Sequence, residues 1–220
     1  MRCVMMIKVH AQLAVDASPK QRRPYARELE RAFQNLGKDF GWRGIQGILF
    51  KEINQWFVTC HLETSLLSQQ TSLIVSTKPM AIDPIFWGIC GFPENKDKPL
   101  SFRALGAWTC PALEMVSADV AEAADASDTA TTALNMAGEL LGAGTPPSLA
   151  WFEAECRKAW EHQPAILASI ITTLVATERR REALKLCLEA KARGETGGFV
   201  NAGDSFVQAA IRRLQTSLSA

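Results

Sequence analysis

The chain has 220 residues, 47% of them hydrophobic and 21% charged, with a formal net charge of +1. That composition excludes a disordered polyelectrolyte. The length suits one large domain or two small ones, able to bury a core without disulfide staples. Charge is unevenly placed, however. Residues 1–51 carry ten Lys/Arg against four Asp/Glu, whereas residues 104–156 carry eight acidic residues and no basic one.

Residues 2–13 alternate apolar and polar (Cys3, Met5, Ile7, Val9 against Arg2, Lys8, His10), which is the period of a strand. Lys8 and His10 interrupt the apolar run too early for a signal peptide. ASPKQRRP reads as a loop. Pro24 suits the first position of a helix, and Tyr25, Leu29, Ala32, Phe33 and Leu36 then form one apolar stripe that Gly37 closes. Three strand-like runs follow at 47–53, 55–64 and 70–78, the first two joined through Asn54; they predict an antiparallel meander. Its second run places Trp56, Val58, Cys60 and Leu62 on one face and Phe57, Thr59, His61 and Glu63 on the other.

Asp83-Pro84 predicts an N-cap and a short helix that ends at Gly91 and is apolar nearly all round, hence buried. FPENKDKP then packs charged residues between two prolines and reads as a restrained connector. Residues 100–110 alternate again, which predicts a strand. From Ser117 an alanine-rich helix is expected to run to Gly142 or Gly144. AGTPPS is a linker to helices at 149–162, 164–176, 178–194 and about 204–216. The expected architecture is α+β: an antiparallel meander with an N-terminal helix over 1–115, then a helical C-terminal region over 116–220.

Six cysteines (3, 60, 90, 110, 156, 187) lie twenty or more residues apart, with no CxxC pair. In apolar surroundings they read as reduced core thiols, so a cytoplasmic protein is expected. No run approaches the apolar length of a spanning helix, so no membrane partner is expected either.

Chemistry-bearing motifs are scarce. Cys60 and His61 are neighbours on a strand and face opposite sides, so they make no dyad. GWRGIQG precedes a strand instead of opening a helix, which fails the dinucleotide pattern. Asp119, Glu122 and Asp125 recur every third residue, a spacing that gathers carboxylates on one helix face. No histidine completes a metal shell there, so no metal and no cofactor are expected. Two arginine groups, Arg22/Arg23/Arg27/Arg31 and Arg179/Arg180/Arg181, could touch phosphate. Among six tryptophans, Trp42 and Trp151 lie nearest loops and are the candidates for a partner contact.

The run LGKDFGWRG, followed by three strands, DPIFW, PENK and PLSFRALGAW, resembles uncharacterised bacterial α+β domains, some encoded near toxin, immunity or defence genes. The resemblance covers roughly residues 25–110 and implies a bacterial interaction protein, with no catalytic residue to carry across. Together these features predict a non-enzymatic protein-binding factor of the immunity or antitoxin kind. It would meet a basic toxin or effector through Asp119, Glu122, Asp125, Trp42 and Arg103. The alternatives are a nucleic-acid-associated defence component using the two arginine groups, and an enzyme using His61, Glu63 and Arg103.

Overall fold

The computed structural model describes residues 19–68, 70–142, 148–201 and 203–219; the strand expected at 2–13 and most of the AGTPPS linker lie outside them. The fold is α+β. Five strands form one sheet in chain order, β1 (Arg43–Ile45), β2 (Ile48–Ile53), β3 (Trp56–Ser65), β4 (Gln70–Pro79) and β5 (Leu113–Val120). The helices are α1 (Pro19–Gly37), α2 (Ile82–Cys90), α3 (Ala126–Gly142), α4 (Leu149–Ala159), α5 (Leu167–Ala176), α6 (Arg180–Ala192) and α7 (Phe206–Ser219).

Turn chemistry sets the meander. Asn54 and Gln55 both take positive φ, 49° and 67°, the two-residue hairpin geometry whose twist matches the flanking strands. Beyond β3, the Ser68 amide donates to Ser65 Oγ at 3.1 Å before β4 begins. β1 pairs antiparallel with β2, Arg43 opposite Phe50 and Ile45 opposite Ile48.

Four expectations are corrected. α1 starts at Pro19, so Pro24 lies inside the helix. Proline has no amide hydrogen for the i−4 carbonyl, and the extra turn is held by Arg22, whose guanidinium reaches Glu122. Residues 100–110 are short 3-10 turns (Leu100–Ala104 and Gly106–Trp108), not a strand. Pro99 and Pro111 bracket them with residues that cannot donate to a ladder, and the turns let Arg103 and the Trp108 carbonyl reach buried partners. The strand instead forms at Leu113–Val120, over the start of the expected alanine-rich helix, which begins only at Ala126. Pairing in the sheet overrides the local helix preference of Ser117–Val120. Asp83, expected as a cap, lies inside the first turn of α2 and is fully buried.

The chain divides into two compact units. One comprises Met1–Lys51, Val58–Ser76 and Glu114–Thr145; the other comprises Glu52–Phe57, Thr77–Leu113 and Pro146–Ala220. In the first, α1 packs on α3. Ala126, Ala130, Ala133 and Ala137 give α3 a small-residue seam, and Leu29 and Phe33 of α1 are buried, as are Leu49, Cys60 and Leu73 of the sheet. The approach is close: a Cβ on Gly37 would lie 2.5 Å from Leu49 Cδ1. In the second unit α5 is central, with Leu167–Leu174 wholly buried and α2, α4 and α6 packed against it. Its hydroxyls are satisfied by carbonyls: Thr172 donates to Ala168 and Thr173 to Ser169. A capping box opens α7. The Ser205 hydroxyl accepts from the Gln208 amide at 3.2 Å, and the Gln208 side chain accepts from the Ser205 amide at 2.9 Å.

Candidate interaction surfaces

The acidic set does not form a helix face. Asp119 is exposed on β5 and accepts from Ser72 Oγ at 3.2 Å. Glu122 follows the strand and takes two bonds from Arg22, at 2.9 and 2.6 Å, and one from Thr71 at 2.6 Å. Asp125 precedes α3 and caps it, accepting from the Ser127 amide at 2.6 Å. All three carboxylates therefore accept hydrogen bonds within the first unit, Glu122 through both oxygens. The i, i+3 helical geometry expected of them is replaced by a strand and a loop.

The same unit reinforces this junction with Tyr25, whose hydroxyl lies 2.8 Å from Thr129 Oγ1 and 3.1 Å from the Ala123 carbonyl. Burial is the main cause raising the Tyr25 pKa above its ordinary value. Trp42, expected at a partner surface, is 3% exposed, with the Lys51 ammonium 4.1 Å from its ring centre. It belongs to the core. Trp151 is half-buried at the start of α4, where its amide donates to Ser148 Oγ.

Arg103 belongs to a buried network in the second unit. Its Nη1 lies 2.7 Å from Asp83 Oδ2 and 3.1 Å from the Met80 carbonyl, and its guanidinium covers the Trp87 ring. The other Asp83 oxygen accepts from Lys78 Nζ at 3.0 Å and the Cys110 amide at 2.9 Å, while Lys78 also donates to the Cys110 carbonyl. Burial pulls the Lys78 pKa down, and Asp83 opposes that fall. Lys78 and Arg103 both donate to Asp83 and to backbone carbonyls within the protein, which is the pattern of a structural clamp. Burial pushes the thiols of Cys60, Cys90, Cys110 and Cys187 up to about 12, so they are not thiolate nucleophiles near neutrality.

His61 and Glu63 remain on β3 with Nε2 3.8 Å from Oε1, beyond hydrogen-bond range. His61 also borders an open cleft of about 340 Å³ beside α1, with Leu29, Phe33, Arg27, Glu30 and Gln46. Arg103 contributes nothing to its lining. Among the described residues no group of three or more His, Cys, Asp or Glu is placed to hold a metal ion, and no helix is long and apolar enough to cross a membrane.

The two arginine groups separate. Arg179 is held by Glu153 and Glu182, and Arg180 lies 2.8 Å from Glu178; hydrogen bonding to Glu182 is the main cause raising the Arg179 pKa. Arg22 is buried on Glu122. Arg23, Arg27, Arg31 and Arg181 are exposed, and none has an ion-pair partner among the described residues.

One surface was not signalled by the sequence pattern. Trp108 is 46% exposed. Its ring meets Phe92 at 5.7 Å and Phe199 at 6.2 Å, both edge to face. Phe199 in turn meets Phe86, which stacks on buried Phe206. The Trp108 carbonyl accepts from Trp87 Nε1 at 2.6 Å, fixing the backbone beneath the ring. Val200, 60% exposed, follows Phe199 in a two-residue strand (Val200–Asn201) that pairs with Asp204–Ser205. In sequence Trp108 looked like one apolar member of an alternating strand, which concealed its exposure. No protein-family model, no curated protein and no solved structure matches the chain.

Proposed function

We propose that this chain is a non-enzymatic protein-binding factor, of the immunity or antitoxin kind that acts by covering a partner. The observation that carries this reading is the half-exposed indole of Trp108, held between Phe92 and Phe199. A large aromatic side chain, fixed by neighbours yet open to solvent, loses little entropy on binding and gains much from desolvation, which is why tryptophan is frequent among interface hot spots. The occupied state of Lys78, Asp83 and Arg103 supports a binding role over catalysis in the same unit. Asp119 and Asp125 are exposed and each accepts a hydrogen bond through one oxygen, which leaves the other to a basic partner; Glu122 is spent internally on both oxygens.

A photo-crosslinking amino acid placed at position 108 tests the reading in cells. The expected result is one discrete adduct with a second polypeptide, absent when the same group replaces Leu67, which is 87% exposed in the first unit. No adduct, or the same ladder from both positions, would remove the proposal.

A further inference from the structure

We infer that the solvent face of α1 docks on the phosphate backbone of a nucleic-acid duplex through Arg23, Arg27 and Arg31, with Lys20 extending the row. This surface lies in the first unit and does not depend on the reading of Trp108.

The three arginines recur every fourth residue, so they form one ridge on the side of α1 opposite buried Arg22, Leu29 and Phe33. Each step of four residues rises about 6 Å. Phosphates on one strand of a duplex advance about 3.4 Å along the axis per nucleotide, so successive guanidinium groups fall near alternate phosphates. None of the three is ion-paired among the described residues, although Glu28 and Glu30 lie on the same helix. The Glu30 carboxylate turns towards the β1–β2 turn, where a Cβ on Gly47 would lie 2.8 Å from its Oε1. Six other arginines, Arg22, Arg157, Arg179, Arg180, Arg193 and Arg212, have carboxylates within 4 Å; exposed Arg181 and Arg213 have none among the described residues, but neither belongs to a row along one helix face. A row of guanidinium groups left without carboxylates calls for an anionic surface from outside.

The chemistry of the ridge favours a duplex over other polyanions. An acidic protein face would need a desolvated aromatic or aliphatic anchor, and among the residues of α1 whose side chains are described, those exposed around the row are Pro24, Glu28, Glu30 and Asn35. A single strand would need aromatic platforms for its bases. The aromatic residues of α1 are Tyr25, whose hydroxyl is committed to Thr129 and Ala123, and buried Phe33. Backbone contact without base readout is what remains.

The test is fluorescence anisotropy of the full chain with a mixed-sequence DNA duplex of about 20 base pairs across a salt series. Three phosphate contacts predict a slope of log K against log salt near −3, an affinity loss of roughly 40-fold between 50 and 200 mM salt. Arg23→Glu/Arg27→Glu/Arg31→Glu should abolish binding. The milder Arg27→Gln/Arg31→Gln should reduce the slope by about two. A control with the same charge change elsewhere, Lys185→Glu/Lys191→Glu/Arg213→Glu, should keep most of the affinity. The inference is overturned by no duplex binding at 50 mM salt, by equal losses in ridge and control variants, or by tighter binding of poly-glutamate than of the duplex.

Discussion

Arg22 and Glu122, one hundred positions apart, are joined by two charge-assisted hydrogen bonds of 2.9 and 2.6 Å. In the sequence one belongs to the basic N-terminal block and the other to the acidic block, so each looks available to an outside partner. Folded, they satisfy each other, and Thr71 adds a third bond to the same carboxylate. The junction brings the first turns of α1 against the segment that leads into α3. Charge segregation along the chain is thus partly converted into internal pairing, and the residues left over define the surfaces.

Removing Glu122 should be more harmful than removing Arg22. Glu122→Ala leaves a guanidinium in a largely buried place, where Arg22 Nε already has no partner, and should destabilise the chain by about 3 kcal/mol. Arg22→Ala leaves Glu122 with Thr71 and more water, with a loss of about 1–2 kcal/mol. Urea denaturation of the two variants checks the order; equal losses would contradict it.

The clamp in the second unit makes a sharper case. Asp83→Ala strands Lys78 and Arg103 together and should lower stability by about 3–5 kcal/mol. Lys78→Met leaves Asp83 with Arg103 and the Cys110 amide and should be far milder. Thermal melts of both variants at neutral pH read the difference.

Alkaline pH should destabilise the fold through its thiols. The Cys60 thiol is raised from 9.0 to about 12 by burial, so its contribution is complete below pH 9 and is lost as pH rises towards 12. In that window the unfolded thiol ionises and the folded one does not. Each such thiol removes about 1.4 kcal/mol per pH unit. Cys60→Ala should flatten the fall in denaturation midpoint between pH 9 and 11, whatever offset it adds at pH 7.

Gly37 and Leu49 should couple. Gly37→Ala places a methyl group against Leu49 Cδ1 and should lose about 1–3 kcal/mol by overpacking. Leu49→Ala opens a cavity in a wholly buried site at a loss of about 2–5 kcal/mol. The double variant should be less damaged than the sum, by about 1 kcal/mol in a double-mutant cycle.

Trp87 and Trp108 should behave oppositely. Trp87→Ala removes a buried indole, 2% exposed, with an expected loss of about 3–5 kcal/mol. Trp108→Ala removes a half-exposed ring and should change stability by about 1 kcal/mol or less, while abolishing partner capture. Calorimetry paired with co-purification of the identified partner separates the two.

The amino-acid sequence by itself determined the α+β class, the stripe of α1 with its stop at Gly37, the β2–β3 hairpin at Asn54 and the short α2, although that helix buries only Ile82, Asp83, Phe86 and Trp87 and not its whole surface. Each follows from periodicity and turn chemistry acting over a few residues. Tertiary structure alone decided where β5 lies, because a strand is completed by a neighbour remote in the chain, and Leu113–Val120 gains β4 where the local pattern favoured a helix. It also decided which charges are spent. Arg22, Arg103, Arg179, Glu122 and Asp83 meet partners between 3 and 100 positions away; Arg23, Arg27 and Arg31 project from the opposite side of a helix and meet none among the described residues. Ion pairing depends on distances of a few ångströms between side chains, and only folding sets those distances.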